Sequence, residues 1–231
     1  MNHADLDAMD ERLHLQHELL LLALRDDEGV AICGTMYEQG LAGCVVAELL
    51  LRGRITVAEG KKKLVEVRDA APTGDPALDH ALERMAAAKR RARLQTWVGR
   101  LSGAKLKHRI ARDLCRRGVL REDEGKVLLF FTRKVYPERD PKPEREILKR
   151  LERAIFSNSD DLDPRTAVLV SVAHSSGILA KLFSRSRLKP RKKRIEQIIA
   201  GEVAGQATRE AIQAIHTAIF VAAVLPVFVS T

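Results

Sequence analysis

Any chemistry this chain performs has to come from a short set of side chains. His14 and His17 stand three residues apart on one helix face with Glu18 adjacent, a spacing that can turn two imidazoles toward one metal ion. Without further placed ligands the signal is weak, and the pair reads as surface histidines. His174 follows the apolar run Ala167–Ala173, where a hydrogen-bonded core histidine is the expected role. Thr73-Gly74-Asp75 has the outline of a catalytic turn, yet a tight turn followed by a helix cap accounts for the same three residues. Cys33, Cys44 and Cys115 are odd in number and none belongs to a CxxC pair. That argues against a disulfide scaffold and a cysteine zinc site, and for a reducing, cytoplasmic setting. No GxSxG, HExxH, P-loop or GxGxxG pattern occurs. The chain reads as a non-enzymatic protein with no metal and no cofactor.

Charge speaks more clearly. The 231 residues carry a net +9, but the sign is segregated. Residues 1–60 hold 11 acids against 4 Lys or Arg, and residues 1–18 form an acidic N-terminal extension. From Lys89 to Arg121 there are 12 basic residues and a single acid, Asp113. A second run, Lys181–Arg194, has 8 basic residues and no acid. Either run alone can be a solvated helix face; together they favour a side that meets a polyanion.

These groups are positioned mainly by helices. Leu13–Leu24 is leucine-rich and closes in Arg25-Asp26-Asp27-Glu28-Gly29; Leu41, Val45 and Leu49 recur every four residues before Arg52-Gly53-Arg54. Asp75-Pro76 opens a helix by capping and by proline at its first turn. Leu94, Trp97, Val98 and Leu101 share one helix face, as do Leu106, Ile110 and Leu114 ahead of Gly118. Helices are also expected around Pro143–Ile155, Pro164–Ala173, Ile178–Phe183 and Arg191–Ala200. Ile55–Val57 and Leu64–Val67 alternate apolar with polar, as a short hairpin does, and β pattern returns between Val119 and Tyr136. At the C-terminal end Ala211–Val229 is interrupted by Gln213 and His216. Its longest apolar run, Ala218–Val229, has 12 residues, short of the roughly 18 to 20 that cross a bilayer, so a buried terminal helix is expected. The acidic start lacks the pattern of a secretory signal. The sum is one mainly α-helical domain carrying small β-hairpins.

The run Val127-Leu128-Leu129-Phe130-Phe131 defies the alternation of a half-buried strand. Either the strand is buried on both faces, or a hairpin presents apolar side chains outward. A basic helix followed by a hairpin could be a winged helix, but a DNA-binding wing carries Lys or Arg at its tip, so nucleic acid is the weaker partner class. A greasy hairpin beside a basic helix suits a peripheral membrane protein. Basic side chains near an anionic leaflet gain about 1 kcal/mol each, and a buried Leu or Phe adds roughly 1.5–3 kcal/mol.

An ordered set of motifs makes the chain recognisable. They are Leu20-Leu21-Leu22-Ala23-Leu24-Arg25-Asp26-Asp27-Glu28-Gly29, Gly40-Leu41-Ala42-Gly43-Cys44 with Glu48-Leu49-Leu50-Leu51-Arg52-Gly53-Arg54, Ala71-Pro72-Thr73-Gly74-Asp75 with Leu78-Asp79-His80-Ala81-Leu82, Trp97 to Gly103, Gly118-Val119-Leu120, Leu128-Leu129-Phe130 and Ala173-His174. In this order they resemble the Golgi phosphoprotein 3 family of phosphoinositide-binding adaptors, over residues 19–231. The resemblance implies a helical domain around a central four-helix core with a protruding hydrophobic hairpin. It further implies binding of phosphatidylinositol 4-phosphate in a basic pocket beside that hairpin, self-association through the hairpin in some members, and membrane-protein clients. In eukaryotes, members hold glycosyltransferases on the cytosolic face of the Golgi. Of the family's two helix arginines, one falls on Lys107 and the other on Ala104, with Lys105 adjacent; Gly34 and Ala42 stand where the family has a tryptophan and a further arginine. Lysine keeps the charge but not the bidentate fork.

The expected headgroup contacts are therefore Lys105, Lys107 and, added from the basic helix itself, Arg109. Val127, Leu128, Leu129 and Phe130 are the expected membrane-inserting or self-associating hairpin. The leading expectation is a peripheral membrane adaptor for phosphoinositide-like anionic lipid. The alternative is a cytosolic oligomeric scaffold whose basic face binds an acidic protein or nucleic acid.

Overall fold

A computed structural model of the chain describes residues 12–25, 27–32, 36–127, 131–157, 162–202 and Ile212. In chain order the described elements are α1 (Leu15–Ala23), α2 (Met36–Leu51), β1 (Ile55–Val57), β2 (Val65–Val67), α3 (Pro76–Ala86), α4 (Leu94–Leu101) and α5 (Ala104–Arg116). There follow β3 (Asp123–Val127), β4 (Phe131–Val135), α6 (Lys142–Phe156), α7 (Pro164–Ser175), α8 (Leu179–Leu182) and α9 (Arg185–Leu188). A 3-10 turn, Lys189–Arg191, then leads into α10 (Lys192–Ile199).

Helices that are apolar all round belong at the centre of a domain. α1 is buried at all nine positions, and α2 and α7 are buried over most of their length. These three pack on one another. The outer helices are amphipathic and present the stripes their spacing predicts: Leu94, Trp97, Val98 and Leu101 from α4, and Leu106, Ile110 and Leu114 from α5. Asp75 caps α3 by accepting from the backbone N–H groups of Ala77 and Leu78, with Pro76 in the first turn. Two corrections concern histidine. His174 is exposed at the end of α7 rather than in the core, and His14 and His17 are buried rather than on the surface.

The core also carries charge. Glu48, fully buried on α2, accepts from Arg52 at 2.8 Å, from Arg165 of α7 at 2.7 Å and from the Leu15 N–H of α1 at 3.2 Å. Glu18 of α1 accepts from Arg150 of α6 at 2.6 Å. Two carboxylates thus tie four helices together inside an otherwise aliphatic interior.

Both hairpins are antiparallel. Ile55 pairs with Val67, where alternation predicts it. In the second, Asp123 pairs with Val135 and Val127 with Phe131, so most of the ladder falls on polar residues and not on the apolar run, which was the stronger strand signal. The reason is anchorage at the base. Val135 and Tyr136 are buried, and the Tyr136 N–H donates to the Gly29 carbonyl at 3.0 Å. Gly29 has φ +61°, and a Cβ there would lie 2.3 Å from the Tyr136 and Pro137 backbone, so only glycine permits this seam. Pairing that starts from this base ends at Val127 and Phe131; Leu128, Leu129 and Phe130 lie outside the described residues. No helix among the described residues is long and apolar enough to cross a membrane. The apolar C-terminal stretch lies outside them too, apart from the buried Ile212.

Candidate functional site: a basic cavity on helix α5

Two polar groupings meet along α5, one on its inner face and one on its outer face. On the inner side, His14 Nδ1 lies 2.7 Å from Asp75 Oδ2, and His17 Nε2 lies 3.0 Å from Asp113 and 3.5 Å from Asp75. The ligand atoms of His14, His17 and Asp75 lie within 4.8 Å of one another, which resembles a metal centre. The hydrogen bonds assign the ring protons differently. Arg52, which can only donate, stands 2.6 Å from His14 Nε2, so Nε2 accepts and Nδ1 carries the proton toward Asp75. The His14 backbone N–H donates to His17 Nδ1 at 3.2 Å, so His17 carries its proton on Nε2. That proton points between the two aspartates, on the axis of neither hydrogen bond. Both rings therefore turn N–H groups, not lone pairs, toward the carboxylates. The cluster is a joint clamping the start of α1 to α3 and α5.

This joint sets an acid limit. Burial alone would raise the Asp75 carboxyl, but the His14 hydrogen bond, the neighbouring rings and the Leu78 N–H hold it down at about 2. Asp113 is lowered as well, its burial outweighed by His17, Arg116 and Arg117. A depressed carboxylate contributes stability above its unfolded value near 4, and that stability is lost as pH falls through the folded value. Unfolding free energy is expected to drop by about 2 kcal/mol between pH 4 and pH 2 from Asp75 alone. Urea titrations across that range check it: Asp75→Asn should flatten this acid limb, whatever it costs at neutral pH.

The outer face of α5 lines a cavity of about 540 Å³ bounded by Pro76, Lys105, His108, Arg109, Arg112, Arg116 and Lys134 of β4. Positions 105, 108, 109, 112 and 116 follow the 3-4-7-11 spacing of a single helix face, opposite the Leu106, Ile110 and Leu114 stripe that fixes the helix to the body. The cations differ in how far they are neutralised. Arg112 and Lys134 both pair with Glu122, and Arg116 pairs with Asp113. Lys105 and Arg109 make no ion pair among the described residues, and with Arg112 and Lys134 sharing a single acid the cavity keeps a net positive charge. His108 Nδ1 lies 2.7 Å from the Tyr136 hydroxyl; burial and the charges of Lys107, Arg112 and Lys134 lower its pKa, against a weaker upward pull from Glu122. Burial, with Glu122 nearby, pushes Tyr136 up to about 12. The imidazole is thus neutral at pH 7 and held in place by the base of the second hairpin.

The structure separates the three expected headgroup residues. Lys105 and Arg109 line the cavity; Lys107, half-buried, is not part of its wall. Val127 closes the β3–β4 ladder, and the other hairpin residues named from the sequence lie outside the described ones. Sequence reasoning missed His108, Arg112, Arg116 and Lys134. The first three were legible as the helical continuation of Lys105. Cys44 is buried, with its thiol pushed up by burial, Glu18 and Glu48, so it is no ready nucleophile.

A mainly helical domain with two small hairpins, holding a cavity lined by basic side chains against the root of one of them, is the class that fold and site define. The Golgi phosphoprotein 3 (GPP34) family profile matches residues 15–215, and the chain belongs to that family. It is similar to vacuolar protein sorting-associated protein 74 of Eremothecium gossypii, 28% identical over 206 residues, covering 74% of this chain and 62% of the relative. The chain thus matches only about three-fifths of that relative's length.

Proposed function

We propose that this protein is a peripheral membrane adaptor that holds anionic lipid headgroups, phosphatidylinositol 4-phosphate or a similar phosphoinositide, in the α5 cavity. The observation that carries the reading is the pair Lys105 and Arg109, two cations that make no ion pair among the described residues, in a cavity of about 540 Å³ beside a hairpin. Lys107, on the position of a family arginine, adds a contact from the flank. In this reading Val127, Leu128, Leu129 and Phe130 enter the bilayer or pack against a second copy, and α1 and α2, which pack on each other and each on both α5 and α7, form with those two helices the four-helix core that the resemblance implies. Family membership supports the adaptor role, and membrane-protein clients and a position on the cytosolic face of a membrane belong to the same proposed reading.

Vesicle co-sedimentation tests the proposal. Binding to phosphatidylcholine vesicles should require added phosphatidylinositol 4-phosphate or another anionic lipid, and should weaken as salt screens charges beyond about 8 Å. Leu128→Ser with Leu129→Ser should reduce vesicle binding or self-association tenfold or more while shifting Tm by only a few degrees. Equal binding to neutral vesicles would overturn the electrostatic part. A loss of oligomer with vesicle binding unchanged would favour the cytosolic scaffold, and a large fall in Tm with both properties retained would make the hairpin ordinary core.

A further inference from the structure

One donor on the cavity wall can change its charge near neutral pH. Lys105 and Arg109 make no hydrogen bond or ion pair among the described residues. His108, half-buried on the same wall, spends only Nδ1, which lies 2.7 Å from the Tyr136 hydroxyl. The Arg112 guanidinium also faces that hydroxyl. A guanidinium can only donate, so the hydroxyl turns a lone pair to Arg112 and its proton to Nδ1. The neutral ring therefore carries its own N–H on Nε2, the nitrogen left for a ligand. Charges around the ring are nearly all of one sign. Lys107 and Arg112 act on it from α5 and Lys134 from β4, while Glu122, already shared by Arg112 and Lys134, pulls the other way. From α3 the wall receives Pro76, and His80 of that helix lies near Arg109, Arg84 and Glu83.

We propose that His108 takes up a proton when a phosphomonoester settles against Lys105 and Arg109, so that the cavity prefers monoesters to diesters and binds them more tightly from about pH 8 down to about pH 6.5. Charge and donor count both favour a monoester. It brings three free oxygens and a charge that approaches −2 above its second ionisation at about pH 6. A diester brings two free oxygens and a single charge. Lys105, Arg109 and His108 Nε2 supply donors from three side chains, one for each monoester oxygen. A dianion beside the ring also opposes the field of Lys107, Arg112 and Lys134 and favours the imidazolium. The proton comes from water and goes to Nδ1; the Tyr136 hydroxyl, which both donates and accepts, turns from donor to acceptor. A group that holds its proton more tightly in the complex adds affinity as pH falls through its bound value toward its free value. Protonation of the phosphate itself below about pH 6 ends the gain. Asp75 and Asp113 do not contribute, since both stay ionised across this range. The preference among lipids rests on the headgroup reading above; the proton-linked phosphate contact does not.

Vesicle binding by the full chain across that range tests the assignment. Affinity for phosphatidylinositol 4-phosphate vesicles should rise roughly 3- to 10-fold between about pH 8 and about pH 6.5. Phosphatidylglycerol, a diester presented at matched surface charge, should change by less than about twofold, because the general pull of a negative surface on protons is then equal. His108→Gln should abolish the rise, and His80→Gln should keep it. NMR on the unsubstituted chain follows the proton directly: with inositol 1,4-bisphosphate, His108 should titrate about one pH unit higher than in chloride of equal ionic strength. A rise that survives in His108→Gln, or an equal rise on phosphatidylglycerol, overturns the proposal. An unmoved His108 titration overturns it too, and vesicle binding that persists then leaves the headgroup reading standing. A raised titration in a protein that binds no vesicle keeps the phosphate contact and removes the lipid reading.

Discussion

Replacing Lys105 and Arg109 together by glutamate is expected to lower affinity for phosphatidylinositol 4-phosphate vesicles about a hundredfold or more. Each basic side chain near an anionic leaflet contributes about 1 kcal/mol, and reversal both removes that attraction and adds repulsion of similar size. Two reversals therefore amount to roughly 3–4 kcal/mol after screening, with 1.4 kcal/mol per tenfold. The fold should not notice. Lys105 is exposed, Arg109 half-exposed, and neither makes an ion pair among the described residues, so stability should stay within about 0.5 kcal/mol. Lys192→Glu is the matched control from the second basic run. Lys192 is exposed and pairs only loosely with Glu196, at 3.7 Å, and its reversal should cost less than about threefold, since it changes a charge that does not line the cavity. Equal losses from the two changes would replace the cavity with a diffuse basic face. Lys107→Glu should fall between them.

The contrast between those two basic runs explains what a sequence can and cannot disclose here. Both are dense in Lys and Arg, and nothing in composition separates them. In the fold, the 181–194 run is spent partly on packing: Arg187 lies over the rings of Phe156 and Phe183 and pairs with Glu152. The α5 run instead keeps an apolar stripe inward and a cationic stripe outward, and the outward stripe borders the cavity. Helix existence and the α4 and α5 faces were legible because 3-4-7 spacing is a local property. The strand register was not, because it is set by Tyr136 docking on Gly29, more than a hundred residues away in sequence. The inner histidines were misjudged for a similar reason: HxxH at a helix start looks solvent-facing until α3 and α5 supply Asp75 and Asp113 as partners. One signal was there to be used. Glu18 and Glu48 each stand inside a leucine-rich run, and an acid in such a run is either an error of assignment or the anchor of a buried pair.

Glu48 is the anchor that tests this reading most severely. Its carboxylate is buried, which by itself would raise its pKa, yet Arg165 and Arg52 hold it below the ordinary range, so it enters the core ionised. Glu48→Ala would strand the Arg165 and Arg52 guanidinium groups and the Leu15 N–H around a cavity. Breaking one side of a buried pair typically costs about 3–5 kcal/mol, a large share of the roughly 5–15 kcal/mol that stabilises a domain. Urea denaturation should show a loss of that size, with a Tm lower by some 6–20 °C. Two further variants separate charge from volume. Glu48→Gln keeps the shape and an acceptor for one arginine, so it should cost less than Glu48→Ala. Glu48→Leu combined with Arg165→Met removes both charges and refills the space, and should recover part of the loss even though each single change is costly. A cost below about 1 kcal/mol for Glu48→Ala would mean that water or a rearranged Arg52 already satisfies the site, and that aliphatic packing alone holds α1, α2 and α7 together. If the loss is large and the double variant recovers stability but not vesicle binding, the buried charge is there to place α1, and through His17 and Asp113 to set the height of α5 and its cationic face.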